Sequence, residues 1–247
     1  MLVCINAALY IFIIILDSMN ASGDITRRQG LVCDFMKYAA IISCLIICLF
    51  ARSHSRRQVA RIQAVVFCIT LVADFFLLFT PYFTAGVLVF IAAHTCALLR
   101  YKPRWALSAG ICAAALFASA FLLMTPLFHP DPGLKLVVAS CIAYATLIIS
   151  VAISTFHAEQ PRLNTLFSRA GMLLFLACDV NVAIFNALPA GSALHTASIV
   201  LMWLFYLPAQ TLLALSATDL KDPINTTRYR SEDPKDPANT ARDEPEM

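Results

Sequence analysis

The sequence predicts an all-α fold, a polytopic membrane bundle of eight transmembrane helices, and three observations support this prediction. Of the 247 residues, 60% are hydrophobic and only 13% are charged, whereas soluble domains are about 45–50% apolar and about 25% charged. The hydrophobic residues form long runs. The charged residues gather between these runs and in the C-terminal segment 218–247.

Each run can be compared with the roughly 20 apolar residues that a helix needs to cross the hydrocarbon core. Eight runs qualify, at approximately 2–18, 35–51, 62–80, 83–99, 105–124, 134–154, 167–186 and 195–216. The first is the shortest, so a bundle of seven spans is the alternative. The short connections TPYF, RYKPRW and ALPAGSAL make antiparallel hairpins of the third and fourth, fourth and fifth, and seventh and eighth spans.

Lysine and arginine are distributed unevenly between the two sets of connections, which indicates the orientation of the bundle. Nine lie in or beside the connections at 51–61, 100–104 and 157–169, and four lie on the opposite side: Arg27, Arg28, Lys37 and Lys135. The positive-inside rule therefore predicts that both termini are cytoplasmic. Residues 1–217 would form the transmembrane domain, and the polar residues 218–247 a disordered cytoplasmic tail.

The rest of the composition excludes several kinds of function. The net charge of +3 comes mainly from arginines in the connections and gives no sign of nucleic-acid binding. The nine cysteines form no CxxC pair and the histidines no HExxH pattern, so we expect no metal and no cofactor. The N-terminal run lacks the basic flank and cleavage site of a signal peptide, so we interpret it as the first span. The expected location is a bacterial inner membrane or an internal membrane of a eukaryotic cell.

Two carboxylates lie well inside the apolar runs, Asp74 in the third and Asp179 in the seventh. An aspartate at the centre of a membrane helix costs about 2.5–3.5 kcal/mol on insertion scales, so such residues usually face a cavity and have a function. Counted from Arg61 and Arg169 at the inner edges, their depths differ by roughly 4–5 Å. Two acids facing one cavity would not both ionise easily, which leaves one proton donor and one base, as acid–base hydrolysis requires. The alternative is two separate structural aspartates, each with its own partners.

Other polar side chains within the runs are candidates for the wall of such a cavity. Tyr206 and Gln210 are four residues apart in the eighth run and share a helix face, and Pro208 between them favours a kink. The further candidates, one each in the second, fourth, sixth and seventh runs, are Lys37, His94, Tyr144 and Asn181. Structural alternatives exist for these residues, including a packed histidine, an interfacial lysine anchor and an aromatic girdle.

Four segments share features with the signatures of one membrane family. LVADFFLLF is similar to a Gly-Asp-hydrophobic-Leu signature with Asp74 as the acid, and GMLLFLACDVNVAIF to a Gly-Phe-Ser-Asp signature with Asp179. YFTAGVLVFIAAH is similar to an aromatic-Gly-Phe-His pattern ending at His94, and YLPAQTLLALS to a Tyr-x-x-Ala-Gln ending at Tyr206 and Gln210. The chain therefore resembles the YhhN-type lysoplasmalogenase family over roughly residues 35–217. It departs from the family pattern at Tyr38, Ala73, Ala97 and Cys178, where the family has Pro, Gly, Tyr and Ser.

The resemblance implies a membrane hydrolase that cleaves the vinyl ether of lysoplasmalogens into a fatty aldehyde and a glycerophospho-headgroup. Its partners would be the lysophospholipid substrate and the bilayer. Asp74 and Asp179 would be the catalytic residues, and the substrate-binding residues would be Lys37, His94, Tyr144, Asn181, Tyr206 and Gln210, with Lys37 available as a point charge for the phosphate. Two alternatives stay open. One is a proton-coupled transporter or lipid-binding protein that uses the two acids as a relay, and the other is a structural membrane protein that has lost the family's activity.

Overall fold

The computed structural model describes residues 2–23, 26–50, 57–127, 132–158 and 161–218. The described residues form eight α-helices and no strand: α1 Leu2–Ser22, α2 Arg27–Phe50, α3 Arg57–Phe79, α4 Phe83–Tyr101, α5 Pro103–Leu127, α6 Pro132–Phe156, α7 Arg162–Ala187 and α8 Ala193–Leu215. All eight are long and apolar enough to cross a membrane. The predicted all-α bundle of eight spans is therefore confirmed, and the first span is a full helix of 21 residues. The orientation of the termini stays a prediction, and the predicted tail lies outside the described residues except for Thr218.

Several helices begin earlier than the apolar runs that predicted them. α2 begins at Arg27 and α7 at Arg162, ahead of the runs at 35 and 167. A helix continues through the polar interfacial layer, whose two sides add about 10–15 Å to the hydrocarbon core of about 30 Å, so the apolar run marks only its middle. At 26 residues, α7 is about 39 Å long, close to the full thickness of a bilayer.

The helices form a ring with two peripheral members. α2, α3, α4, α6, α7 and α8 follow one another around the ring, which closes where α8 contacts α2. α5 packs outside against α4 and α6, and α1 packs against α2 and α8. Of the three hairpins predicted from the short connections, α3–α4 and α7–α8 are closely packed pairs, whereas α4 and α5 are in contact over a smaller area.

Two glycines allow these hairpins to pack closely. A Cβ atom at Gly86 of α4 would lie 2.6 Å from Leu77 Cδ2 and 3.2 Å from the carbonyl oxygen of Ala73, both on α3. A Cβ atom at Gly171 of α7 would lie 2.9 Å from Leu213 Cγ on α8. Because lipid provides no hydrophobic drive between membrane helices, close backbone approach through small residues is a main source of their association.

Hydrogen bonds also hold α8 in place. Pro208 has no N–H to donate to the carbonyl oxygen of Leu204 one turn earlier, and the hydroxyl of Tyr10 on α1 donates to that oxygen instead, at 3.1 Å. Just beyond the C-terminal end of α8, Asn164 Nδ2 donates to the carbonyl oxygens of Ser216 and Thr218 at 2.9 and 2.8 Å. These contacts satisfy backbone oxygens that a membrane would otherwise leave without partners.

One predicted connection residue lies in the bundle. Arg100, counted above with the connection 100–104, belongs to α4 and is buried. Its guanidinium donates to Gln63 Oε1 of α3 at 2.5 Å and to Ser216 Oγ at 2.7 Å. A positive charge beside the C-terminal end of α8 complements the helix dipole. Arg100 thus joins three helices rather than facing water.

Gly86→Ala is expected to destabilise the bundle, whereas Gly110→Ala is its matched control. Both replace a helical glycine by alanine, which by itself stabilises a helix by up to about 1 kcal/mol. A Cβ atom at Gly110 meets nothing within 4 Å, so only Gly86→Ala creates a clash. Overpacking at Gly86 should cost about 1–3 kcal/mol. Thermal unfolding in detergent should give a lower midpoint for Gly86→Ala and an unchanged or higher midpoint for Gly110→Ala. Equal midpoints for the two variants would contradict the close α3–α4 packing.

Candidate active site

A cavity of about 260 Å³ lies among α3, α4, α6, α7 and α8, and both intramembrane carboxylates line it. Its polar wall consists of Asp74, Tyr144, Cys178, Asp179, Asn186 and Tyr206, together with the indole of Trp203. The rest of the wall is aliphatic or phenyl. The two acids of the third and seventh spans therefore face one shared space, as acid–base chemistry between them requires.

Each carboxylate accepts hydrogen bonds from a tyrosine on another helix. The Tyr206 hydroxyl lies 2.9 and 2.8 Å from the two carboxyl oxygens of Asp74. The Tyr144 hydroxyl donates to Asp179 Oδ2 at 2.8 Å. A phenol orients a carboxyl group without neutralising it by an opposite charge, and it serves both ionised and protonated forms since it can also accept. The site thus consists of two Asp–Tyr pairs, one joining α3 to α8 and the other joining α7 to α6.

A row of rings connects the two pairs. The ring centroids of Tyr206 and Phe175 are 5.4 Å apart, those of Phe175 and His94 are 5.2 Å apart, and those of His94 and Tyr144 are 5.1 Å apart. All three contacts are edge-to-face, the geometry that aromatic pairs prefer. This packing restricts both tyrosines and so fixes the positions of the carboxyl groups that they hold.

The cavity extends to one end of the bundle. Asp74 lies five residues before the end of α3 and Asp179 eight residues before the end of α7, or about 8 and 12 Å along the helix axes. Asn186, exposed near the end of α7, and Phe83, at the start of α4, also line the cavity. A bilayer centred on α7, whose length matches the bilayer with its headgroups, would place the carboxyl groups near the boundary between headgroups and hydrocarbon.

Two residues predicted for this cavity line a smaller one beside it. His94 and Gln210 belong to the wall of a second cavity of about 20 Å³. The reason is helix geometry: His94 lies one turn beyond Phe90, and Gln210 one turn beyond Tyr206, in the direction away from the cavity mouth. His94 Nδ1 is 2.9 Å from the carbonyl oxygen of Phe90 and donates to it, which leaves Nε2 as the acceptor.

Asn181 is not part of the wall of either cavity. It donates from Nδ2 to the carbonyl oxygen of Ala177 on its own helix, at 2.8 Å. Two residues along an α-helix correspond to about 200° of rotation, so Asn181 points away from the cavity that Asp179 faces. Its amide is satisfied by the backbone instead of being presented to a ligand.

Lys37 lies behind the cavity wall and is already paired. Its Nζ is 2.7 Å from Asp17 Oδ1 and 3.6 Å from Asp34 Oδ1, and it lies 4.5 Å from the ring centroid of Trp203. Trp203 lines the cavity, so the indole separates the ammonium group from the carboxylates. Among the described residues that form this wall there is no lysine, arginine or histidine.

Asp17 is absent from the predicted site because it lies at the end of the first apolar run. In the structure it is buried on α1 and forms the closest ion pair of Lys37. The sequence contained a signal for this pair: α1 and α2 are joined by a short connection, and α1 carries an acid, Asp17, where α2 carries a base, Lys37. Cys178, Trp203 and Asn186 also belong to the wall, but their residue types alone do not distinguish them from packed neighbours.

Comparison with known proteins identifies the family of the chain. The model of the YhhN family matches residues 33–217, which include all eight polar residues predicted for the site. No curated protein and no solved structure matches the chain. Since the match covers most of the described bundle, from α2 to the end of α8, the chain belongs to the YhhN family.

Proposed function

We propose that this protein is a membrane hydrolase that cleaves the vinyl ether bond of lysoplasmalogens. The observation that carries the proposal is the shared cavity, in which two carboxyl groups from different helices face one space. Such a placement is costly in a membrane, so ionisable groups within membrane helices usually serve a function. It provides the two groups that acid-catalysed hydrolysis of a vinyl ether needs, namely a proton donor and a base.

The chemistry uses both carboxyl groups. A protonated carboxyl gives its proton to the vinyl carbon farther from the ether oxygen, which produces an oxocarbenium ion. The ionised carboxylates stabilise that cation and accept a proton from the attacking water, which bonds to the carbon beside the oxygen. The hydroxyl of the resulting hemiacetal gives its proton to a carboxylate as the bond to the glycerol oxygen breaks. That oxygen takes a proton from the other carboxyl group, and a fatty aldehyde is released. Asp74 and Asp179 can divide the two roles in either order.

The shape of the cavity suits a single-chain lipid. Its volume of about 260 Å³ is below the roughly 300–1,000 Å³ of typical small-molecule sites, so it accommodates part of one chain together with the ether. In a lysoplasmalogen the vinyl ether lies directly below the glycerol. A substrate with its headgroup at the cavity mouth would therefore place the ether near the depth of the two carboxyl groups.

Asp74→Asn and Asp179→Asn should each abolish most aldehyde release from a lysoplasmalogen. An amide cannot donate or accept the transferred proton, and a positioned acid or base contributes about 10²–10⁴-fold to rate. Asp34→Asn is the matched control, since Asp34 lies on α2 outside the cavity wall. Aldehyde release is measured on purified protein with equal amounts of folded variant, and the saturated alkyl analogue serves as the negative substrate. Full activity in either cavity variant would exclude the proposed chemistry.

Replacement of the Lys37–Asp17 pair distinguishes a structural role of Lys37 from phosphate binding. Lys37→Met leaves the Asp17 carboxylate buried without its nearest cation, which should cost about 3–5 kcal/mol. Lys37→Met combined with Asp17→Leu removes both charges and should recover most of that stability, as measured by thermal unfolding.

The ion pair and the intervening Trp203 favour the structural role. We therefore expect the double variant to keep the KM for a lysoplasmalogen close to the wild-type value. A large rise in KM with preserved stability would instead assign Lys37 to the phosphate, as the family resemblance suggested.

A further inference from the structure

The second cavity lies directly below the first on each of the four helices that form it. On α3 and α4 its walls are formed around Thr70 and His94, and on α7 and α8 around Met172 and Gln210. Each of these four positions lies about one turn from the nearest residue of the first cavity, on the side away from its mouth. The two cavities are therefore stacked along the bundle axis.

One layer of rings separates the two cavities. Phe175 belongs to the walls of both. The imidazole of His94 packs edge-on against Phe175 and against Tyr144, which is itself part of the first cavity and donates to Asp179. A rotation of the Phe175 side chain would connect the second cavity with the space between the two carboxyl groups.

The second cavity has the size and the polar groups of a site for one water molecule. Its volume of about 20 Å³ exceeds the roughly 10–15 Å³ that a single water requires. The hydroxyl of Tyr101 is buried and has no hydrogen-bond partner among the described residues. Gln210 Nε2, also buried, approaches the Tyr206 hydroxyl without forming a hydrogen bond of normal geometry. His94 Nε2 provides an acceptor, because Nδ1 donates to the backbone. A buried donor without a partner costs about 1–3 kcal/mol, so a water bonded to these groups would be favoured.

We propose that this second cavity binds the water that hydrolyses the substrate and delivers it past Phe175, an inference that rests on the proposed hydrolase function. A bound lysolipid would fill the first cavity and block its mouth with the headgroup, so water from that side would be excluded. The oxygen of the delivered water bonds to the oxocarbenium carbon and one of its protons passes to a carboxylate. The carbon–oxygen bond to glycerol then breaks with return of a proton, which gives aldehyde and alcohol.

Methanol distinguishes this route from entry at the mouth. When methanol instead of water captures the oxocarbenium ion, the product is a mixed acetal that keeps the headgroup and is identified by mass spectrometry. A cavity with room for one water should exclude methanol, so the wild-type protein should form aldehyde with little acetal. Met172→Ala, at a buried side chain in the second cavity alone, enlarges that cavity and should raise the acetal fraction several-fold.

Met36→Ala is the matched control, because Met36 is partly buried on α2 and lines neither cavity. It should leave the acetal fraction at the wild-type value. Val66→Ala, a smaller truncation in the second cavity from α3, takes the place of Met172→Ala if that variant does not fold. Gln210→Met, which removes the donor to the water, should lower kcat and leave the KM for the lysolipid unchanged.

The outcomes separate this inference from the function on which it rests. Release of neither aldehyde nor acetal by the wild-type protein would overturn the hydrolase and the water route together. Normal aldehyde release with an acetal fraction that does not differ between the Met172 and Met36 variants would overturn the water route alone. A selective rise in Met172→Ala would support it.

Discussion

The placement of two carboxyl groups within membrane-spanning helices is the constraint to which the central part of this bundle is adapted. Hydrocarbon offers neither a hydrogen bond nor a counter-charge, so Asp74 and Asp179 depend on groups from the protein itself. In both cases the partner is the hydroxyl of a tyrosine on another helix. A neutral donor holds the carboxyl group in position and leaves its proton available, whereas a lysine or arginine would hold it ionised. The choice of tyrosine thus connects the structural requirement with the chemistry.

Two buried cations of the bundle, Lys37 and Arg100, have charged or polar partners outside the cavity. Lys37 is kept behind Trp203 by Asp17 and Asp34, and Arg100 is held at the opposite end of the bundle by Gln63 and Ser216. Both cations are engaged in joining helices. The cavity itself remains apolar apart from its acids, tyrosines and a few weakly polar groups, so the field at the two carboxyl groups is determined mainly by their own charges and by the tyrosine dipoles. Such a low-polarity cavity strengthens every electrostatic interaction within it.

Close helix packing, and a side-chain hydrogen bond to a backbone oxygen that a proline leaves free, make this geometry possible. Gly86 brings α4 against α3 beside Asp74, and Gly171 brings α7 against α8 on the side that carries Tyr206. Pro208 lies two residues beyond Tyr206, and Tyr10 of α1 satisfies the carbonyl oxygen that this proline frees. The peripheral helix α1 therefore contributes twice to the site, through Tyr10 and through Asp17, although it provides no residue of the cavity wall.

Hydrophobic run length determined the class of fold and the number of helices. An exposed backbone polar group is costly in a bilayer, so a chain of this composition forms helices of membrane length. Depth along each helix also follows from the sequence, since the rise per residue is constant, and this placed Asp74 and Asp179 at similar levels. Which way each side chain points around its helix depends on how the helices are rotated against one another. Only tertiary packing decided that Tyr144 and Tyr206 face the acids, that His94 and Gln210 lie one turn below them, and that Asn181 turns back to its own backbone. The partner of Lys37 also needed the tertiary structure, because an ion pair between two helices requires both a shared depth and facing surfaces, and the sequence indicates only the first.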